Sequence, residues 1–410
     1  MPKHTRKVRT GLDILVDMDF QPLWGMRLGL LAHAASVDSR LFSILDLMQA
    51  SPALDLRMIF SPEHGLSAAA QDMVSVSSSS LNNNQRLQIP VRSLYGATAE
   101  SLVPAVEDFM EIDALVIDLQ DVGSRYYTFI QTMAFAMRTA AAVEVKVFVL
   151  DRPNPINGLD FSGSSLQRAC RSFCGLLPVP QRHGLTIGEA AWLYNRGFGA
   201  GDSKLEPINC ELEIIEMEGW NRELFFDETS LPWVMPSPNM PTLDTALVYP
   251  GACLFEATNL SEGRGTTKPF EIIGAPFISG KAWADAALQQ EVELLGAVLR
   301  PVEFEPQFHK WAKTTCGGVQ IHVVDRVVFD PFRWGLALIA SAKELYPREF
   351  AWRSDVYEFV RDVPAIDLLF GSPRLRELLD SAHPQISELL PDMQLFEDDY
   401  QNQRFSWLRY

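Results

Sequence analysis

Residues 114–150 read ALVIDLQDVGSRYYTFIQTMAFAMRTAAAVEVKVFVL. The stretch opens on one short apolar run, ALVIDL (114–119), and closes on another, VKVFVL (145–150). Between them FIQTMAFAMRTAAA (129–142) is rich in residues that favour helix. Neither apolar run alternates with polar residues, so each reads as a strand covered on both faces, the habit of a parallel sheet. Strand, helix and strand in this order is the repeating unit of α/β proteins.

The same texture extends towards the N-terminus. MRLGLLAH (26–33) and DLRMIF (55–60) read as strands, and DSRLFSILDLMQA (38–50) as an amphipathic helix. VRSLYG (91–96) resumes order, and helix-like AESLVPAVEDFME (99–111) leads into ALVIDL. SVSSSSLNNNQ (75–85) is low-complexity and reads as a mobile loop. The expected fold is α/β, with a Rossmann-like, doubly wound parallel sheet. The turn after the first strand is AHAASVDS (32–39), without the glycines of a dinucleotide fingerprint, so no cofactor is expected.

Beyond residue 200 the pattern changes. CELEIIEMEGW (210–220) reads as a last strand, and the proline-rich LPWVMPSPNMPTLD (231–244) as a stiff crossing segment. A glycine-rich loop (261–265), a helix GKAWADAALQQ (280–290), a strand GGVQIHVV (317–324) and a helix RWGLALIASAKELY (333–346) follow. The expected division is a Rossmann-like domain over 1–230 and a smaller α+β domain over 231–410, with a cleft between them.

With 410 residues, 47% of them hydrophobic, the chain has ample material for such a core. A net charge of −17 argues against nucleic acid as a partner. Cys170 and Cys174 form C-x3-C without a companion histidine, so all five cysteines are expected as reduced thiols rather than metal ligands. The N-terminal residues are basic but reach no apolar run of signal-peptide length, and no stretch approaches the roughly 18 apolar residues of a membrane span. A cytoplasmic enzyme is the expectation, and a homo-oligomer is left open.

In an open parallel sheet, ligands bind outside the carboxyl ends of the strands. Four strands end in AHAAS, SPEHG, DLQDVGSRYY and DRPNP. They bring His33, Glu63, His64, Asp118, Gln120, Asp121, Arg125, Tyr126, Tyr127, Asp151, Arg152 and Asn154 to one edge. Bland readings stand beside this one. Asp118 and Asp121 suit helix caps, Asp151 and Asn154 suit a tight turn, Arg125 suits an ion pair with Asp121, and His64 suits a turn filler. Glu63, after Pro62 and before His64–Gly65, is the carboxyl best placed for proton transfer, since desolvation at a sheet edge raises its pKa. TNLSEGRGTTKPFE (258–271) adds Glu262 and Arg264 on a loop able to face an anion, and PSPNMPTLD adds Asn239.

Taken together, SPEHG, SLYG, DLQDVGSRYYT, DRPNPING, PQRHGLTIGE, PSPNMPTLDTALVYPG, NLSEGRGTTKPFE and CGGVQIHV resemble the exo-β-N-acetylmuramidase family (NamZ type) from about residue 25 onwards. The resemblance implies a glycoside hydrolase that releases N-acetylmuramic acid from the non-reducing end of peptidoglycan fragments, with the SPEHG glutamate, Glu63, as leading catalytic residue. The chain departs from the family pattern at AHAAS and at LSAAAQ after SPEHG. Hydrolysis of a β-glycoside needs an acid and a second group across the ring. Glu63 is assigned as the acid, with Asp118, Asp121 and Glu262 competing for the second role. The lactyl carboxylate of muramic acid calls for a cation, and Arg125 and Arg264 are the candidates. His64, Gln120, Tyr126, Asp151, Arg152, Asn154, His183 and Asn239 complete the substrate-binding candidates. Two rival readings are an NAD-dependent oxidoreductase or glycosidase and a non-catalytic muropeptide-binding protein.

Overall fold

A computed structural model of the chain describes residues 7–68, 70, 71, 74, 89–290 and 292–410. The low-complexity stretch 75–85 lies outside the described residues. Six parallel strands form the first sheet: β1 (Arg27–Ala32), β2 (Asp55–Ser61), β3 (Val91–Ser93), β4 (Ala114–Asp118), β5 (Lys146–Leu150) and β6 (Leu212–Ile215). Their spatial order is β3-β2-β1-β4-β5-β6, the doubly wound arrangement, with the switch point between β1 and β4.

Strand side chains alternate between the two faces, and both faces are apolar. Leu31, Leu115, Ile117, Val147 and Val149 pack beneath the helices Phe129–Ala142 and Ile187–Arg196. Leu28, Leu30, Val116, Phe148 and Leu150 pack on the other face with Gly11–Asp17 and Ile44–Ala50. Covering on both sides is why these strands read as unbroken apolar runs.

Two expected helices are shorter than their patterns. The helix anticipated over 38–50 begins only at Ile44, because Ser43 caps it by accepting from the Leu45 amide and Leu41 is left-handed, with φ 69°. The segment 99–111 divides into a single turn at Ala99–Leu102 and a short helix Val106–Phe109, interrupted at Pro104.

The second sheet is antiparallel in the order β7-β9-β8, from β7 (Ile272–Ala275), β8 (Ala297–Phe304) and β9 (Cys316–Val323). Helices Leu243–Ala252, Gly280–Ala287 and Pro331–Leu345 pack around it, with Trp283 and Trp334 fully buried. One hydrophobic cluster runs without a break from Leu31 and Phe129 to Trp283 and Trp334, so the two sheets share a core. The chain then doubles back. Helix Leu390–Arg404 returns to the first sheet, where the Tyr400 hydroxyl donates to the His183 carbonyl at 2.7 Å and the Tyr410 hydroxyl to Asp151 Oδ2 at 2.7 Å. All five cysteines are free and buried.

Candidate active site

At the carboxyl end of β2 the backbone turns sharply through Pro62, Glu63, His64 and Gly65. His64 and Gly65 both lie in the left-handed region, with φ of 68° and 76°. For a histidine this is a strained conformation, and it aims the preceding side chain inward. Glu63 is buried, and its Oε2 accepts a hydrogen bond from Thr128 Oγ1 at 2.8 Å. His64 Nδ1 faces the Ala70 carbonyl at 2.9 Å, which closes the turn.

Glu63 lines a cavity of about 40 Å³ between the two sheets. His64, Tyr126, Tyr127 and Thr128 come from the first-sheet side, and Ser237, Asn239, Glu256, Arg264, Tyr357 and Glu358 from the other. Six of the sequence candidates meet here: Glu63, His64, Tyr126, Tyr127, Asn239 and Arg264. Asn239 Nδ2 donates to Gln71 Oε1 at 2.8 Å, and the Tyr126 hydroxyl donates to the Pro250 carbonyl. Arg264 stacks on the Phe270 ring, with its Nη1 shared between Glu256 at 2.7 Å and Glu262 at 3.1 Å.

Two carboxylates of the cavity went unnoticed in the sequence. Glu256 is bound by Arg264 through Oε1 and by the Tyr357 hydroxyl through Oε2, at 2.6 Å. A lone acid inside the apolar run GACLFEA was the available signal. Glu358 accepts from the Tyr95 hydroxyl at 3.0 Å. Burial, together with Glu63 and Glu358, pushes the Tyr95 phenol far above its ordinary pKa, so it remains a donor. Tyr357 and Val360 pair across a two-residue turn whose corners, Glu358 and Phe359, have φ of 44° and 68°. Turns with two left-handed corners ordinarily use Asn-Gly, and each larger side chain there costs about 1–2 kcal/mol. Phe359 offsets part of that cost by packing on Tyr95, with ring centroids 5.6 Å apart. The strained turn is what delivers the Glu358 carboxyl to the cavity.

The other candidates lie elsewhere. Asp118 and Arg152 form a buried ion pair, with Oδ2 to Nη2 at 2.8 Å, and Arg152 and Gln120 face a separate small cavity beside Trp233. Burial raises the Asp118 pKa despite the guanidinium. Asp121 caps no helix: Oδ2 accepts from the Gly123 amide at 2.6 Å and faces His183 Nε2 at 3.2 Å. Nor does it pair with Arg125. That guanidinium is completely buried and donates to the carbonyls of Ser164, Val179, Leu369 and Phe370 at 2.7–3.1 Å. It joins the first sheet to the C-terminal segment rather than facing the cavity. Asp151 accepts from Thr186, Gly188 and Tyr410, and burial raises its pKa to about 6. Asn154 holds the Ile156 amide and the Leu185 carbonyl, the turn role its DRPNP context suits. His33 accepts from the Gln120 amide, and burial lowers its pKa to about 3. Glu262 stands behind Arg264, outside the cavity lining. Burial opposes its charge, but Lys310, His309 and Arg264 hold its carboxyl well below the usual range.

Carboxylates lining a cavity at the edge of a parallel sheet are compatible with a glycoside hydrolase, and the likeness to known proteins is to that class. Residues 28–244 match the model for the N-terminal part of exo-β-N-acetylmuramidase NamZ, and residues 247–410 match that for its C-terminal part. The peptidoglycan β-N-acetylmuramidase NamZ of Bacillus subtilis (strain 168) is 42% identical over 348 residues, 85% of this chain and 80% of that protein. The chain belongs to the exo-β-N-acetylmuramidase NamZ family and is a glycosidase. The crystal structure of a DUF1343 family protein from Bacteroides fragilis NCTC 9343 superposes with a TM-score of 0.84 at 30% identity, covering 98% of this chain and 99% of that one. A second protein of that family from the same organism has a TM-score of 0.72 at 24% identity, with the same coverage, and shows the fold alone.

Proposed function

We propose that this protein cleaves the β-glycosidic bond of a terminal N-acetylmuramic acid, releasing that sugar from the non-reducing end of peptidoglycan fragments. Glu63 acts as general acid: its proton passes to the glycosidic oxygen as the bond from that oxygen to the anomeric carbon breaks, and the oxygen of a water molecule ends bonded to that carbon, its released proton restoring the acid. Glu358 is the second carboxylate. It enters the same cavity from the opposite unit, whereas Asp118, Asp121 and Glu262 are not among the residues that line it. Arg264 is the guanidinium in the cavity wall, and it takes the lactyl carboxylate. Residues 1–230 serve as the catalytic domain and 231–410 as the auxiliary domain that completes the cleft.

The observation that carries this reading is the meeting of Glu63 and Glu358 in one cavity, each anchored by a hydroxyl, Thr128 for the first and Tyr95 for the second. The test is hydrolysis of a chromogenic β-N-acetylmuramide by the purified protein beside Glu63→Gln and Glu358→Gln. Turnover by the unaltered enzyme that both substitutions abolish supports the assignment. Full turnover by Glu63→Gln removes Glu63 from the chemistry. No turnover by the unaltered protein overturns the activity itself.

A further inference from the structure

Two residues beyond Glu256 the chain enters the lining of a second groove, of about 600 Å³, at Thr258 and Asn259. Its aromatic residues are two tryptophans, Trp311 exposed and Trp352 half-buried, set among Asn259, His309, Lys310 and Arg353. Both indole N–H groups are already used within the protein. Trp311 Nε1 donates to the Asn259 carbonyl at 2.6 Å, and Trp352 Nε1 donates to Asp380 Oδ1 at 3.1 Å. What the rings offer a ligand is therefore their apolar faces, and Trp311 keeps 36% of its surface exposed.

The platform is rigid. His309, Trp311 and Lys313 are left-handed at alternate positions, with φ of 70°, 57° and 57°. A loop so strained persists only where its surroundings hold it. Lys310 does so by reaching under it, its Nζ donating to the carbonyls of Phe255 and Leu260 and to Glu262 Oε2 at 2.8–3.1 Å. Trp311 also meets Phe277 edge to face, and Trp352 meets Phe350 in the same way.

The groove and the cavity share their supports. Glu262 holds Lys310 under the tryptophan loop and Arg264 in the cavity wall. The Arg353 guanidinium lies over the Tyr357 ring, whose hydroxyl holds Glu256 in the cavity. A cavity with about 40 Å³ of free space has no room for more than the reacting end of a glycan. The remaining rings of a longer fragment must lie outside it. Pyranose rings present flat C–H faces, and fixed indole faces with polar neighbours are the surface that complements them.

We infer that the Trp311–Trp352 groove is an accessory subsite for the sugar rings of the peptidoglycan strand beyond those held in the cavity. This rests on the muramidase reading above. Because the rings are locked before binding, little rotamer freedom is lost when a sugar docks.

The test compares fragments of two, four and six sugars with the chromogenic monosaccharide, using the whole protein. For the unaltered enzyme KM should fall about tenfold from the shortest to the longest fragment, the gain of one stacked ring. The Trp311→Ala/Trp352→Ala variant should lose that dependence while treating the monosaccharide as before. Trp311→Phe/Trp352→Phe, which keeps aromatic faces, should retain most of it. Equal KM at every length in the unaltered enzyme overturns the subsite, as does a double-alanine variant whose monosaccharide turnover falls in step with that on long fragments. Calorimetric titration of six-sugar fragments into Glu63→Gln separates this inference from the activity. Tryptophan-dependent binding, together with no muramide turnover by the unaltered protein, upholds the groove and sinks the muramidase reading. Turnover without length dependence does the reverse.

Discussion

Substituting Asp118 by Asn and Glu358 by Gln should give opposite results, although each change replaces one buried carboxylate by its amide. Asp118 meets Arg152 through both oxygens, and the two side chains are 0% and 6% exposed. An amide there keeps the shape but leaves the guanidinium charge buried without its partner. Breaking a buried pair in this way costs about 3–5 kcal/mol. Unfolding entropy grows with chain length, so for 410 residues each kcal/mol lowers the melting midpoint by about 1 °C. Asp118→Asn should therefore melt roughly 4–6 °C lower, while kcat on a chromogenic β-N-acetylmuramide stays close to that of the unaltered enzyme. In Glu358→Gln the amide oxygen still accepts from Tyr95, so the midpoint should move by less than about 1 °C. Its kcat should fall by about 10²–10⁴, the usual contribution of a positioned acid or base. Thermal melts and initial rates on the same preparations decide the matter. An Asp118→Asn protein that melts normally yet turns over a hundredfold slower would make Asp118 the second catalytic group and refute the reasoning, as would a fully active Glu358→Gln.

Other expectations follow from the same contacts. Arg264→Ala should reduce kcat/KM on a muramide at least about tenfold more than any residual activity on the glucosaminide that lacks the lactyl group, since one charge-assisted contact is lost; equal losses would remove Arg264 from lactyl recognition. Arg125→Met removes a donor from four buried carbonyls, of which Leu369 and Phe370 keep Gln181, and should cost roughly 3–5 kcal/mol in urea unfolding. Its activity per folded molecule should be unchanged, and a selective loss of turnover would put Arg125 in the site after all. Asp151 ionises near 3.8 in the unfolded chain and at about 6 when folded, so between those values the folded protein keeps a proton that the unfolded chain has lost. This group's effect is thus to lower stability as pH rises from about 4 to 6, by about 3 kcal/mol. Over that range Asp151→Asn should gain about 3 kcal/mol relative to the unaltered protein in urea midpoints, and parallel pH profiles would show that Asp151 does not titrate there.

The sheet was legible because strands covered on both faces carry no polar interruption, and four such runs sit in the first 150 residues. The rule that ligands bind at strand carboxyl ends led to Glu63. It also selected Asp118, Asp121, Asp151, Asn154 and Arg125, for a physical reason. Strand ends are where a buried sheet must satisfy its last backbone groups, so polar side chains gather there whether or not a ligand does. Only contacts across the fold separate the two kinds, such as Arg152 on Asp118 or Tyr410 on Asp151. Glu358 left no trace, since a Glu-Phe pair does not resemble the Asn-Gly of the turn it occupies, and its partner Tyr95 lies 263 residues away. Strand β8 was missed because Pro301 and alternating exposed residues hide an edge strand.

The return of helix Leu390–Arg404 to the first sheet bears on how the molecule is made. All six parallel strands have been synthesised by Ile215, yet Asp151 and the His183 carbonyl wait for Tyr410 and Tyr400, and Arg125 waits for the carbonyls of Leu369 and Phe370. A nascent chain therefore holds its Rossmann-like sheet unfinished through the whole translation of the second sheet.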